Sequence, residues 1–163
     1  MIETTASQGH TTMIGIGEYR IGAFPMATIG LGSCIGLVLF DPDRKIGAFV
    51  HIMLPESPGS TNRPGKYADL AIPLLTGALE EQGSKRRVIT ARMAGGATMC
   101  ETFSAGINIG QRNSEKIRTL LSKEDISIVS EDVGGKIGRS VYFFPLKDGK
   151  MTIRLADGTS RDI

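Results

Sequence analysis

Apolar residues along this chain fall in short blocks separated by turn residues, the pattern of a domain built mainly from strands. Residues 1–12 (MIETTASQGHTT) are polar and read as a loose tail, with ordered structure beginning near Met13. Residues 19–27 read as an early strand and 30–33 as a tight turn. Cys34-Ile-Gly-Leu-Val-Leu-Phe40 is a continuous apolar run, predicting a buried strand. Asp41-Pro42-Asp43-Arg44 then carries type I turn chemistry, with Asp first and Pro second. Residues 46–54 return as a second strand, and 55–65, with three prolines among Ser, Thr, Asn and Gly, form a loop. Lying just beyond His51, that loop is a candidate rim for a site.

A helical period follows. Tyr67, Leu70, Ala71, Leu74, Leu75, Ala78 and Leu79 line one face of a helix over 67–82, with Gly83 as its stop. Pro73 falls inside and predicts a kink or the true first turn. Residues 88–93 read as a strand ending in Gly95-Gly96, and 99–110 have no clear period. A short helix over 113–122 turns Ile117, Leu120 and Leu121 inward, with Asn113 as its N-cap. Strands over 126–133, 140–146 and 150–155 complete the domain, the last two joined by an Asp148-Gly149 hairpin turn. The prediction is an α+β fold: a layered α/β/α sandwich with mixed, hairpin-rich sheets and two main helices. One domain spans 13–155, between polar tails at 1–12 and 156–163.

Composition narrows the function classes. A chain of 163 residues is long enough to bury a core without disulfides or metals. With no Trp and 6% aromatics, that core is built largely from Ile, Leu, Val, Met and Ala. The net charge of +2 does not point to nucleic acid, and Lys85-Arg86-Arg87 reads as a solvated connector. No apolar run approaches the ~20 residues that span a bilayer. Residues 1–12 also lack the apolar segment of a signal peptide. The expectation is a cytoplasmic protein with reduced cysteines.

Chemistry concentrates at Thr28-Ile-Gly-Leu-Gly-Ser-Cys34 and His51. A cysteine after a glycine turn, with a histidine on the next strand, is the minimum kit for a thiolate nucleophile and its base. If the 41–44 turn closes a simple hairpin, Phe40 faces Lys45, Val38 faces Gly47 and Cys34 faces His51. The imidazole and the backbone N–H groups of the turn would then favour the thiolate. Gly30 and Gly32 leave amides unobstructed for an oxyanion hole. A third group normally fixes the histidine tautomer, and both Thr28 and the acidic residues are candidates. The alternative for Cys34 is a small buried hydrophobe, and for His51 a satisfied core residue. Cys100 and His10 read as incidental. No Cys or His spacing suits zinc, and the glycine pattern misses the dinucleotide fingerprint.

Several stretches together resemble the CheD family of chemoreceptor glutamine deamidases. They are the 28–34 segment, Gly47-Ala-Phe-Val-His51-Ile-Met-Leu-Pro55, Lys66-Tyr-Ala-Asp69, Ala94-Gly-Gly-Ala97, Ile109-Gly-Gln-Arg-Asn113 and Glu131-Asp-Val-Gly-Gly135. The resemblance implies an α/β/α sandwich and a hydrolase that converts receptor glutamines to glutamates through a thioester. The catalytic triad it implies is Cys34, His51 and Thr28, with no cofactor or metal. Gly32, Ser33, Gly95 and Gly96 are the candidates for an oxyanion or substrate groove. The implied partners are the cytoplasmic domain of methyl-accepting receptors and, in some members, a CheC-type response-regulator phosphatase. Nucleic acid and membrane insertion are not expected, and the default state is a monomer. A non-catalytic regulatory module docking on those partners is the alternative, and a small-molecule cysteine hydrolase a third reading.

Overall fold

A computed structural model of the chain describes residues 10–99 and 108–163. Among the described residues, ten strands form two five-stranded sheets. The first sheet runs β1 (Thr12–Met13), β3 (Met26–Leu31), β8 (Arg139–Phe144), β9 (Lys150–Leu155) and β10 (Ser160–Asp162). The second runs β2 (Tyr19–Gly22), β5 (Ile46–Ile52), β4 (Ile35–Asp41), β6 (Thr90–Gly95) and β7 (Ser127–Val133). Helices α1 (Ala68–Glu81) and α2 (Ile109–Lys123) pack together on one face of this second sheet. The α+β class, the mixed sheets and the layered arrangement with two main helices match the expectation, while the described layers run helix, sheet, sheet rather than helix, sheet, helix.

Strand β4 is the centre of the molecule, buried along its whole length. Its odd-numbered residues Ile35, Leu37 and Leu39 face the helices, where they meet Leu75, Leu79, Ile117 and Leu121. Val38 and Phe40, on the other face, meet Phe143, Val141 and Met151 of the first sheet. Because both faces are covered, the strand reads as an unbroken apolar run rather than an alternation. Phe143 fills the space over Gly47 and meets Phe40 and Phe49 edge-on at 5.9 and 6.3 Å between ring centroids.

Four expectations need correction. The strand expected over 19–27 is two strands in different sheets, since the chain crosses between sheets at Ala23–Pro25. Helix α2 begins at Ile109 rather than 113, and its N-cap is Asn108, whose side chain accepts from the Gln111 N–H at 3.0 Å. Asn113 is therefore inside the helix and fully buried. Pro73 lies in the second turn of α1, on its exposed face, and so does not mark the first turn. The polar segment after Leu155 carries one more strand, β10, paired with β9. Gly83 does end α1, with the Ser84 N–H bonded back to Leu79 O at 3.0 Å.

Arg139 joins the two sheets at one end. Its guanidinium donates to Asp132 Oδ1 at 3.0 Å, Gly95 O at 3.1 Å and Gly134 O at 2.7 Å. Asp132 is also paired with the more exposed Arg161. Replacing Arg139 with Met should cost about 3–5 kcal/mol in denaturant unfolding, because a buried carboxylate and two carbonyls lose their donor. A loss below ~1 kcal/mol would mean that Arg161 alone satisfies Asp132.

Candidate active site

The mouth between the two sheets holds Thr28, His51 and Cys34. Thr28 is the third residue of β3 and His51 the sixth of β5, so the two sheets each supply one of them. A bulge between Thr28 and Leu31 turns Ile29 and Gly30 outward while Thr28 and Leu31 stay buried. The chain then reaches Cys34 through a half-buried turn.

The hairpin register differs from the sequence expectation. Asp41 pairs with Ile46, and His51 pairs with Gly36 rather than with Cys34. The turn still encloses four residues, 42–45 rather than 41–44, and that one-residue displacement along the chain slides the pairing by two. A two-residue slip keeps every side chain on its face. Cys34 therefore packs into the layer between the sheets, diagonal to His51, where neighbours stand about 7–8 Å apart. The residue directly opposite His51 has no side chain. A Cβ on Gly36 would come within 3.2 Å of Phe49, 3.3 Å of Leu31 and 3.5 Å of Thr28 Cγ2. Glycine there gives Phe49, Leu31 and Thr28 room to close over the strand.

The tautomer of His51 follows from counting hydrogens. Thr28 Oγ1 donates to Ile14 O at 2.7 Å and lies 2.8 Å from His51 Nδ1. A hydroxyl has one hydrogen, and a carbonyl can only accept, so Oγ1 must accept from Nδ1–H. The lone pair of His51 is then on Nε2, which is buried and has no partner among the described residues. No hydrogen bond joins Nε2 to the Cys34 thiol in this resting arrangement. Thr28 thus acts on His51 through its hydroxyl, and Ile14 O is a participant that no side-chain pattern could reveal.

Burial sets the charge state. His51 is 2% exposed, and desolvation lowers its pKa to about 4. Desolvation raises the pKa of the half-buried Cys34 thiol above its usual value. Both shifts favour a neutral thiol beside a neutral imidazole.

The turn that carries Cys34 is held by backbone contacts. Gly96 N–H donates to Cys34 O at 2.9 Å, and Ala97 N–H donates to Gly32 O at 2.8 Å. Gly95 has φ +117°, and a Cβ there would lie 2.2 Å from Cys34 O. Gly95 and Gly96 therefore stand behind the turn and support it. Met99 packs against Gly32. Asn113, read from sequence as a cap, reaches the same turn: its Nδ2 donates to Ser33 O and to Met53 O, each at 3.0 Å. The available signal was a polar residue in register with the buried Gly110, Ser114, Ile117 and Leu121 of α2. His10 is exposed, and Cys100 lies outside the described residues.

Two measurements check this electrostatic picture. Unfolding stability should fall by about 3 kcal/mol as pH drops from 6.5 to about 4, because the unfolded chain protonates His51 where the folded one does not. His51→Gln should flatten that part of the pH profile. Alkylation of Cys34 by iodoacetamide should keep rising with pH beyond the ordinary thiol range. A rate plateau beginning in acid would instead reveal a preformed ion pair.

Comparison with known proteins agrees with this site's setting. A family model described as CheD chemotactic sensory transduction matches residues 53–155. A probable chemoreceptor glutamine deamidase CheD of Archaeoglobus fulgidus is 47% identical over 153 residues, covering 92% of this chain and 96% of its own length. The chemoreceptor glutamine deamidase CheD of Thermotoga maritima is 43% identical over 148 residues, covering 90% and 92%. A probable chemoreceptor glutamine deamidase CheD of Desulforamulus reducens is 42% identical over 147 residues, covering 86% and 88%. With a family model over more than half its length and relatives aligned almost end to end, the chain belongs to the CheD family.

Proposed function

We propose that this protein is a protein-glutamine deamidase that acts on the cytoplasmic domain of methyl-accepting chemoreceptors, with Cys34, His51 and Thr28 as its catalytic triad. The observation that carries the reading is the bond from His51 Nδ1–H to Thr28 Oγ1, which leaves a bare, buried Nε2. The names of the relatives supply the substrate class.

The reaction follows from the proton positions. As Cys34 Sγ forms a bond to the carboxamide carbon, Nε2 takes the thiol proton and the carbonyl oxygen becomes an oxyanion. The N–H groups of Ser33 and Cys34, which have no partner among the described residues, would receive that charge. Collapse breaks the C–N bond, and Nε2–H gives its proton to the departing nitrogen, releasing ammonia and leaving a thioester. Nε2 then takes a proton from water as its oxygen attacks, and collapse expels the thiolate, which recovers that proton. The product is a glutamate side chain. Thr28 accepts from Nδ1–H throughout, keeping the imidazole in one orientation. Gly32, Gly95 and Gly96 serve this step from behind the turn.

Ile29, Met53 and Met99 are exposed at 59%, 36% and 59%, and each adjoins a site element in the chain or in space. Such a rim suits a protein surface as substrate better than a small polar molecule. The same face would serve a CheC-type phosphatase partner, with the protein working as a cytoplasmic monomer.

Incubation with a receptor cytoplasmic fragment should give the mass gain of carboxamide-to-carboxylate conversion at specific glutamines. Cys34→Ala should abolish it without loss of fold, and Thr28→Val should lower kcat by roughly 10²-fold or more by freeing the wrong tautomer. Equal activity in Cys34→Ala would remove the nucleophile assignment.

A further inference from the structure

We infer that Asn113 is a positioning residue for the reaction: its side-chain amide clamps the peptide between Ser33 and Cys34 so that the Cys34 N–H points at the developing oxyanion. This rests on the deamidase reading above. Both hydrogens of Nδ2 are used, one on Ser33 O and one on Met53 O, at 3.0 Å each. Since both partners are carbonyls, the donor end of the amide is assigned without ambiguity. The Asn113 side chain is fully buried in α2, and its Oδ1 has no partner among the described residues. Its hold on the site therefore comes through Nδ2 alone.

The two carbonyls belong to the two halves of the proposed machinery. Met53 O lies two residues beyond His51, at the exit of β5. Ser33 O is one end of a planar peptide whose other end is the Cys34 N–H. Fixing the oxygen fixes the direction of the hydrogen, and a hydrogen bond to a carbonyl also strengthens the donor across the same peptide. Gly32 O and Cys34 O are already held by Ala97 N–H and Gly96 N–H. Asn113 completes a run of three consecutive carbonyls held from behind. The N–H groups of Ser33 and Cys34 have no partner among the described residues. A structural cap would have no need to grip the nucleophile's own peptide.

The test compares Asn113→Ala and Asn113→Asp with the wild-type protein on a receptor cytoplasmic fragment, at a temperature where each is folded by circular dichroism. Deamidation kcat should fall about 10–100-fold with KM within about threefold. Iodoacetamide alkylation of Cys34, a displacement that forms no oxyanion, should stay within about threefold of wild type. A kcat within twofold of wild type in the folded variants would overturn the inference. So would an equal fall in kcat and alkylation, which would place the effect on the thiol or the fold. If neither variant folds, the wild-type protein decides. The Asn113 side-chain amide protons should exchange slowly in nitrogen-edited NMR spectra, and rapid exchange would overturn the clamp. Absence of deamidation in the wild type itself would instead overturn the deamidase reading, and the inference with it.

Discussion

One hydroxyl hydrogen decides what this site can do. Thr28 gives its only hydrogen to Ile14 O, so toward His51 it can only accept. That single commitment fixes the imidazole with Nδ1 protonated and Nε2 bare. It also draws the N-terminal strand into the site, because Ile14 O is placed by the pairing of β1 with β3 and by the bond from Ile14 N–H to Ala27 O. The chain of donors runs from imidazole to hydroxyl to carbonyl, each bond polarising the next. A carboxylate in the place of Thr28 would add a negative charge and raise the basicity of the ring. The neutral hydroxyl adds none, so burial prevails and the pKa of His51 lies near 4.

That choice shapes the energetics of the proposed reaction. A buried thiolate–imidazolium pair at rest would need donors and counter-charge to offset its desolvation. The neutral pair needs neither. Charge arises only as sulfur attacks, when the imidazolium and the oxyanion appear together. Backbone N–H groups directed at the oxyanion then act on the transition state and hardly at all on the ground state, which is the condition for raising kcat. The cost falls on the proton transfer itself, since a ring of low basicity accepts the thiol proton only as the new carbon–sulfur bond forms.

Much of the site was legible in the sequence, and the part that was not has definite causes. Cys34 and His51 were placed on adjoining strands by the turn chemistry of Asp41-Pro42. The exact pairing was off by two, yet the shared face survived because side chains alternate with period two. Gly36, an odd choice within a bulky buried strand, was the visible sign of the corrected register. The strand over 19–27 was misread because an apolar run does not show which sheet it joins, and Pro25 marks the crossing. Asn113 was misplaced because residues 99–110 show no clear period, which hides the first turn of α2 and its cap Asn108, five residues earlier. The thiol's charge state could not be read at all. It depends on how much water two packed sheets exclude, a property of the whole layer.

The turn at Cys34 departs from ordinary hydrogen-bond accounting in a directed way. In folded proteins, backbone donors and acceptors are satisfied together, and an orphaned N–H is the rarer exception. Here Gly32 O, Ser33 O and Cys34 O are all satisfied, by a strand-end segment and by a helix side chain, while the N–H groups of Ser33 and Cys34 have no partner among the described residues. The imbalance is one of sign, because a turn with its acceptors covered and its donors bare attracts negative charge. The bulge in β3 lies just before that turn, and Gly95 approaches Cys34 O closely behind it. In the proposed reaction those donors would meet the oxyanion, an interaction made only as the substrate carbonyl acquires charge.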